Sequence, residues 1–208
     1  YTYKNNQMDG LYESYHENAQ LAEKADYEDG YIEGTFESYY ENGQLKEKGT
    51  YENRKKNGAF ESYYENRQLK SKNTFIEGKE DGLVISYYEN GQLKEKRTLK
   101  DDQMNGPVES YYANGQLKEK ATYKEGIQDG FYESYYENSQ LELKATYIEA
   151  QRDGLYESYL SDGKLIFRGV YKEGLRNGLI ETTYEDSGGK LKSKATFKDD
   201  ILDGLYES

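Results

Sequence analysis

Hydrophobic and polar residues alternate along most of the chain, and the alternating pattern returns every 24 residues. The first seven intervals between marker glycines are 24 residues each and the eighth is 26, its two extra residues lying in 185–190. A fixed period with strand-like alternation predicts stacked β-hairpins and no helix. The marker glycines, each preceded by Asp or Asn except Gly34, which follows Glu, are Gly10, Gly34, Gly58, Gly82, Gly106, Gly130, Gly154, Gly178 and Gly204.

An Asn-Gly pair such as Asn42-Gly43 stands between the two alternating segments of a repeat. This pair is typical of a two-residue type I′ turn, in which both central residues have positive φ. Such a turn sets the register of the hairpin. The predicted cross-strand pairs are Phe36 with Gly49, Ser38 with Glu47, Tyr40 with Leu45, Glu37 with Lys48 and Tyr39 with Lys46.

Equivalent positions form columns down the predicted array. The columns of Phe36, Gly49, Tyr51 and Leu45 hold mainly apolar, aromatic or small residues, so they predict the core face. The opposite face is ionic, because the Glu37 column is Glu in every repeat except at Ile85 and faces a column of Lys or Arg. Such pairs contribute about 0.2–1 kcal/mol each. The Leu45 column is Leu21, Leu45, Leu69, Leu93, Leu117, Leu141, Leu165 and Leu191.

Short connections between repeats return the chain beside itself. We therefore predict an all-β fold, an elongated single-sheet antiparallel meander of stacked 24-residue hairpins in one array over residues 1–208. At the usual strand spacing its 16 or 17 strands span roughly 75–80 Å. Both ends stop within a repeat, so we expect a fragment of a longer protein that is capable of end-to-end self-association.

The composition of the chain restricts the classes of partner that it can bind. The chain has 25 tyrosines, no cysteine and a net charge of −12. An acidic chain is unsuited to nucleic acid or to anionic lipid, which both attract an excess of Lys and Arg. Without cysteine there is neither a disulfide framework nor a thiolate metal site, and we expect no cofactor.

The pattern of residues 34–51 and 106–123, Gly-x-x-x-x-x-Tyr-x-Asn-Gly-Gln-Leu-x-x-Lys-x-x-Tyr in its most constant positions, resembles the bacterial variant of the MORN repeat. That variant also occurs in YwqK-type antitoxin proteins. The resemblance covers essentially the whole chain and implies an open sheet of stacked hairpins. For function it implies a scaffold, an oligomerisation module or an adaptor.

The candidate binding residues form two columns on the predicted ionic face. One interpretation is that the tyrosine rings cover lysine stems and shield the sheet. The other is an aromatic ladder, spaced about 10 Å apart by two strand spacings, that binds an extended peptide, a glycan or a second copy. The candidates are Tyr39, Tyr63, Tyr87, Tyr111, Tyr135 and Tyr159, with Lys46, Lys70, Lys94 and Lys118.

Other candidates are less specific. The single histidine, His16, occupies a column of tyrosines and is interpreted as a packing substitute. No nucleophile elbow, phosphate loop or His/Cys cluster is present, so we predict no catalytic residue and no enzyme. Acidic pairs in the connections, such as Asp101-Asp102, resemble Ca²⁺ ligands in type only and are expected to face water. Apolar residues replace charges at Ile85, Leu143, Ile166 and Phe167, which is compatible with a local interaction patch.

These observations predict a non-enzymatic repeat scaffold that binds a protein or an extended polymer along one face. Two alternatives remain open. The first, implied by the family resemblance, is an antitoxin-like partner of a bacterial toxin. The second is a surface or secreted adhesin that contacts host molecules, and nothing in the residues decides the compartment.

Overall fold

The structure is a computed structural model that describes residues 3–4, 6–184 and 190–207. It divides into two compact units, residues 1–103 (unit 1) and 104–208 (unit 2). The strands of unit 1 are β1 (Tyr3–Lys4), β2 (Gln7–Met8), β3 (Gly10–Tyr15), β4 (Leu21–Glu28), β5 (Tyr31–Tyr39), β6 (Leu45–Glu52), β7 (Lys55–Lys56), β8 (Gly58–Tyr63), β9 (Leu69–Ile76), β10 (Lys79–Glu80), β11 (Gly82–Tyr87) and β12 (Leu93–Lys100).

Unit 2 continues the same strand pattern, and its first strand begins one residue before the unit boundary. The predicted two-residue insertion falls on residues 185–189, which lie outside the described residues. The strands are β13 (Gln103–Tyr111), β14 (Leu117–Lys124), β15 (Ile127–Tyr135), β16 (Leu141–Ile148), β17 (Gln151–Arg152), β18 (Gly154–Tyr159), β19 (Leu165–Lys172), β20 (Leu175–Thr183), β21 (Leu191–Lys198) and β22 (Ile201–Glu207).

Within each unit, each long strand from β3 onwards pairs antiparallel with the next long strand along the chain, as in β5 with β6 and β15 with β16. The two-residue strands β7, β10 and β17 pair with the strand before them. No helix occurs in the described ranges, and therefore none that could cross a membrane. The predicted all-β fold of stacked hairpins is confirmed. The register is also confirmed in the body of each hairpin, where Phe36 faces Gly49, Glu37 faces Lys48 and Ser38 faces Glu47.

The turn between β5 and β6, like the other hairpin turns within the described residues, differs from the predicted one. Tyr40 N donates to Gln44 O (2.8 Å), and Gly43 N donates to Tyr40 O (2.8 Å). Only the third loop residue, Gly43, has positive φ (78°). This is a type I turn followed by a left-handed residue, the three-residue loop that carries a β-bulge. The prediction of a type I′ turn at Asn42-Gly43 was therefore wrong.

The type I′ turns lie in the connections between repeats instead. There, two consecutive residues have positive φ, as in Asn53 (52°) and Arg54 (64°) or Glu125 (51°) and Gly126 (80°). Their backbone N–H groups bond to the preceding connection, for example from Gly126 N to Met104 O (2.8 Å). The connections are therefore tight hairpins in their own right, and they stack repeat upon repeat.

The core is a thin layer formed by small and apolar side chains of the Phe36 and Gly49 columns. Ala25 has no exposed surface, Phe60 and Val84 are each 4% exposed, and Ala121 and Ala145 are 1% exposed. Aromatic rings meet edge to face across this layer, as in Phe60 and Phe75, whose centroids are 5.2 Å apart. The predicted place of the Leu45 column in this core was wrong, because Leu45 pairs with Tyr39 of the opposite face rather than with Tyr40.

Candidate functional site

The turn bulge produces a row of alternating tyrosine and leucine at the hairpin tips, which we name the Tyr–Leu row. In β5 and β6 the partner of Tyr39 is Leu45 rather than Lys46, because the register shifts after Ser38. A one-residue shift brings the neighbouring side chain to a given face of a sheet. The row in unit 1 pairs Tyr15 with Leu21, Tyr39 with Leu45, Tyr63 with Leu69 and Tyr87 with Leu93. In unit 2 it pairs Tyr111 with Leu117, Tyr135 with Leu141 and Tyr159 with Leu165.

Most tyrosines of the row are held by a carboxylate two residues earlier on the same strand. The Tyr39 hydroxyl donates to Glu37 Oε2 (2.6 Å), and the Tyr135 hydroxyl donates to Glu133 Oε2 (2.7 Å). Burial, and then this hydrogen bond, raise the pKa of Tyr39 and the pKa of Tyr135 to about 12. The same bond occurs in Tyr15, Tyr63, Tyr111 and Tyr159. These rings therefore have fixed orientations at neutral pH.

The glutamates of the ionic face also bind cations across the strands. Glu61 lies 3.0 Å from Lys48 Nζ and 3.0 Å from Lys72 Nζ, one carboxylate oxygen to each. The Tyr63 hydroxyl and these two ammonium groups lower the pKa of Glu61 to about 2. The predicted Glu–Lys pairing is confirmed by the register, including Ile85 opposite Lys96 in the exceptional repeat. The carboxylate of Glu61 and the ammonium groups of Lys48 and Lys72 are therefore paired with one another within the protein.

The candidate lysines stack on the tyrosines that follow the candidate tyrosines in sequence. Lys46 Nζ lies 5.7 Å from the ring centroid of Tyr40, the next residue after Tyr39. Together with Tyr40, Phe60 and Phe75, Lys46 lines a cavity of about 250 Å³. The same lysine–ring stacking occurs for Lys70 on Tyr64, Lys94 on Tyr88 and Lys118 on Tyr112. The predicted contact of Tyr39 with Lys46 was wrong, since the bulge separates them.

Tyr40 and the residues at the same position in other repeats, which we name the Tyr40 column, join consecutive repeats. The Tyr40 hydroxyl donates to Tyr63 O (2.7 Å), and the Tyr136 hydroxyl donates to Tyr159 O (2.8 Å). At the equivalent position His16 Nε2 lies 3.0 Å from Tyr39 O. Because a carbonyl oxygen only accepts, this nitrogen carries the proton. His16 thus takes the structural place of tyrosine, as the sequence predicted.

A hollow lies beside Tyr63 of the row, where two repeats meet. Its lining consists of Gly43, Gln44 and Leu45 from one repeat and Tyr63 and Arg67 from the next. Its volume of about 350 Å³ lies within the usual range of small-ligand pockets. The leucines of the row were not among the residues predicted to bind a ligand. The residue after Asn in other repeats (Ala19, Arg67, Ser139) could have indicated the correct turn. Such residues are better tolerated in a turn with one left-handed position than in a type I′ turn, which has two.

The acidic residues of the connections bond to protein groups. Lys79 Nζ lies 3.1 Å from Asp101 Oδ1, and Glu80 N donates to Asp102 Oδ1 (2.7 Å). Arg176 Nε donates to Asp200 Oδ1 (2.7 Å). Among the described residues, no three or more His, Cys, Asp or Glu side chains form a group that could hold a metal ion.

The apolar residues that replace charged residues of the repeat pattern lie in different environments. Phe167 packs against Tyr156 with ring centroids 5.6 Å apart, so it adds to the thin core. Leu143 faces Ser134 across the hairpin. Ile85 precedes Tyr87 by two residues and takes the place of the glutamate that holds the other tyrosines of the row. A single patch formed by these residues stays a prediction.

Family comparison agrees with this geometry. A model described as "MORN repeat variant" matches residues 8–29, 32–53, 80–101, 104–125, 128–149 and 152–173. These are six segments of 22 residues, or 132 of 208. A comparison with curated proteins gave no match. The bacterial and YwqK-type parts of the resemblance stay predictions. The chain belongs to the family of MORN repeat variants, whose repeats are generally of the binding and scaffold type rather than enzymes.

Proposed function

We propose that this chain is a non-enzymatic scaffold that holds a protein segment or another extended polymer along its Tyr–Leu row. The observation that carries the proposal is the row itself, in which each tyrosine has a leucine directly opposite it, as Tyr39 has Leu45. The same Tyr–Leu pair thus recurs in seven hairpins. A surface with a repeating contact suits a ligand that is long and extended, since each further contact adds to the same binding event.

The rings are oriented before any ligand arrives. Tyr63 donates to Glu61 (2.7 Å), and Glu61 in turn is fixed between Lys48 and Lys72. Binding to such a ring costs less side-chain entropy than binding to a free one. Tyrosine is also favoured in interfaces, because a large rigid ring contributes contact area at low entropic cost. These features support binding rather than structural cover alone.

The polar groups argue against a reaction centre. A catalytic pair is singular, whereas the Tyr–Glu–Lys arrangement returns in nearly every repeat. The histidine, which is the usual acid–base group in enzymes, bonds to a backbone carbonyl of the next repeat. These observations support a binding role for the row.

The test compares the wild-type chain with a row variant, Tyr39→Ser/Tyr63→Ser/Tyr87→Ser, immobilised against a panel of unfolded polypeptides and soluble polysaccharides. We expect the row variant to lose at least tenfold in affinity for the retained ligands, since each interface tyrosine contributes about 1 kcal/mol or more. The matched control is Lys55→Gln/Lys100→Gln/Lys124→Gln, three changes of exposed residues at the connections between repeats, away from the row, and it should bind normally. Equal binding by the row variant and the wild type would overturn the proposal.

A further inference from the structure

We propose that the ligand of the Tyr–Leu row in unit 1 is a basic, proline-rich polypeptide segment in the polyproline II conformation. This inference deepens the proposed function and rests on it. Three features of unit 1 support it: the period of the row, the hollow beside Tyr63, and the charge of the hairpin tips.

The period of the row matches the pitch of polyproline II. The tyrosines Tyr15, Tyr39, Tyr63 and Tyr87 occur once in every two strands of the hairpin stack. Two strand spacings amount to roughly 9.6 Å. A polyproline II helix rises about 3.1 Å per residue with three residues per turn, or roughly 9.3 Å per turn. A segment that lies across the strands therefore presents the same face to each successive tyrosine. An extended β-strand does not, because its side chains repeat every two residues, or roughly 6.7 Å.

The hollow beside Tyr63 fits the apolar ridge of such a segment. It has a volume of about 350 Å³, and its lining consists of Gly43, Gln44 and Leu45 from one repeat and Tyr63 and Arg67 from the next. Proline-rich segments bind by placing prolines into grooves between aromatic side chains. The segment is also preformed in solution, so little entropy is lost when it binds to a row of fixed rings.

The hairpin tips supply the complementary charge. An exposed glutamate follows each tyrosine of the row by two residues, and none of these carboxylates forms an ion pair within the described part of unit 1: Glu17, Glu41, Glu65 and Glu89. The glutamates of the ionic face differ, because Glu61 is already paired with Lys48 and Lys72. The neighbouring lysines stack on the Tyr40 column, and Arg67 stands beside Glu65 in the same tip. Together with the net charge of −12, the free carboxylates favour a ligand with Arg or Lys at every turn.

The experiment uses the full chain and three labelled synthetic peptides in fluorescence anisotropy. The first repeats Pro-Pro-Arg six times. The second replaces every proline by glycine, which keeps the charge but removes the preformed conformation. The third replaces every arginine by glutamate, which keeps the conformation but reverses the charge. We expect the first peptide to bind at least tenfold more tightly than either of the others, with an affinity that falls as salt is added.

Variants then locate the site. Tyr39→Ser/Tyr63→Ser should weaken binding of the Pro-Pro-Arg peptide at least tenfold, while Tyr39→Phe/Tyr63→Phe, which keeps the rings but removes their bonds to Glu37 and Glu61, should weaken binding by a smaller factor than the serine variant does. Glu17→Gln/Glu41→Gln/Glu89→Gln should weaken binding and flatten its salt dependence. Equal affinity for the proline and glycine peptides would overturn the inference. If the row variant still loses the ligands of the wider panel, the proposed function survives that result; if it binds the whole panel normally, both fail.

Discussion

The hydroxyl of Tyr40 donates a hydrogen bond of 2.7 Å to the backbone carbonyl of Tyr63, a member of the Tyr–Leu row in the following repeat. The ring of Tyr40 also supports the ammonium group of Lys46. The carbonyl lies at the bulged end of β8, where the ladder is interrupted and a backbone group needs another partner. The Tyr40 column thus fixes the position of the tips that carry the proposed binding row.

Removal of this hydroxyl should loosen the tips. We expect Tyr40→Phe to lower the free energy of unfolding by about 1 kcal/mol, because the Tyr63 carbonyl loses its side-chain donor while the ring remains. The matched control is Tyr51→Phe in the same unit, at a column that already holds Phe75 and Phe197 in other repeats. It should change the free energy of unfolding by less than about 0.5 kcal/mol. Urea denaturation followed by circular dichroism measures both, and an equal loss in the two variants would contradict the assigned bond.

His16 provides a second test of the same contact. The change His16→Tyr should maintain or raise stability, since tyrosine at this position donates to the equivalent carbonyl in other repeats. The change His16→Phe should lower it by about 1 kcal/mol, because the donor to Tyr39 O is removed. The measurement is the urea midpoint of the two variants. If His16→Phe were as stable as His16→Tyr, the histidine would act through packing alone.

The period and the alternation determine which side chains of β5 and β6 face each other, so the pair of Glu37 with Lys48 followed directly. The turn was ambiguous because Asn-Gly satisfies two geometries. The structure uses the Asn42 side chain as an acceptor for Gln44 N (3.0 Å), a role that needs no positive φ at the asparagine. The resulting one-residue shift moved Leu45 from the predicted core to the row, and no periodic signal reports such a shift.

The marker glycines are predicted to be intolerant of substitution. Gly130 has φ of 120°, and a β-carbon there would lie 3.1 Å from Thr122 Cβ. We expect Gly130→Ala to lower the free energy of unfolding by about 2 kcal/mol or more, because an L-residue rarely adopts this conformation. The matched control is Gly126→Ala at φ of 80°, a turn position that Ala150 occupies at 63° in the next repeat. It should cost about 1 kcal/mol.

Thermal denaturation of the two glycine variants ranks them against the wild type. A smaller loss for Gly130→Ala than for Gly126→Ala would show that the backbone at the marker glycine relaxes. A larger loss for Gly130→Ala, which is the expected order, would show that the backbone is held rigidly where β15 has two residues more than its partner β14. That excess appears in the register, where Ala121 pairs with Tyr132 but Tyr123 pairs with Gln128.

The ionic face should make stability depend on pH through Glu61. The Tyr63 hydroxyl and the ammonium groups of Lys48 and Lys72 lower the pKa of Glu61 to about 2 in the folded chain. A carboxylate with a lowered folded pKa stabilises the fold above its unfolded pKa, near 4.3, and this stabilisation is lost as the pH falls towards 2. We therefore expect Glu61→Gln to lower the free energy of unfolding by about 1 kcal/mol near neutral pH. The difference from wild type should shrink below about pH 4, where the wild-type carboxylate begins to gain a proton in the unfolded chain.

The control, Glu65→Gln, removes an exposed tip carboxylate that forms no ion pair within the described residues. It should change stability by less than about 0.5 kcal/mol at either pH. Urea midpoints near pH 7 and near pH 3 decide the matter, since a pH-independent difference between wild type and Glu61→Gln would mean that the loss comes from packing and not from the charge between the two lysines.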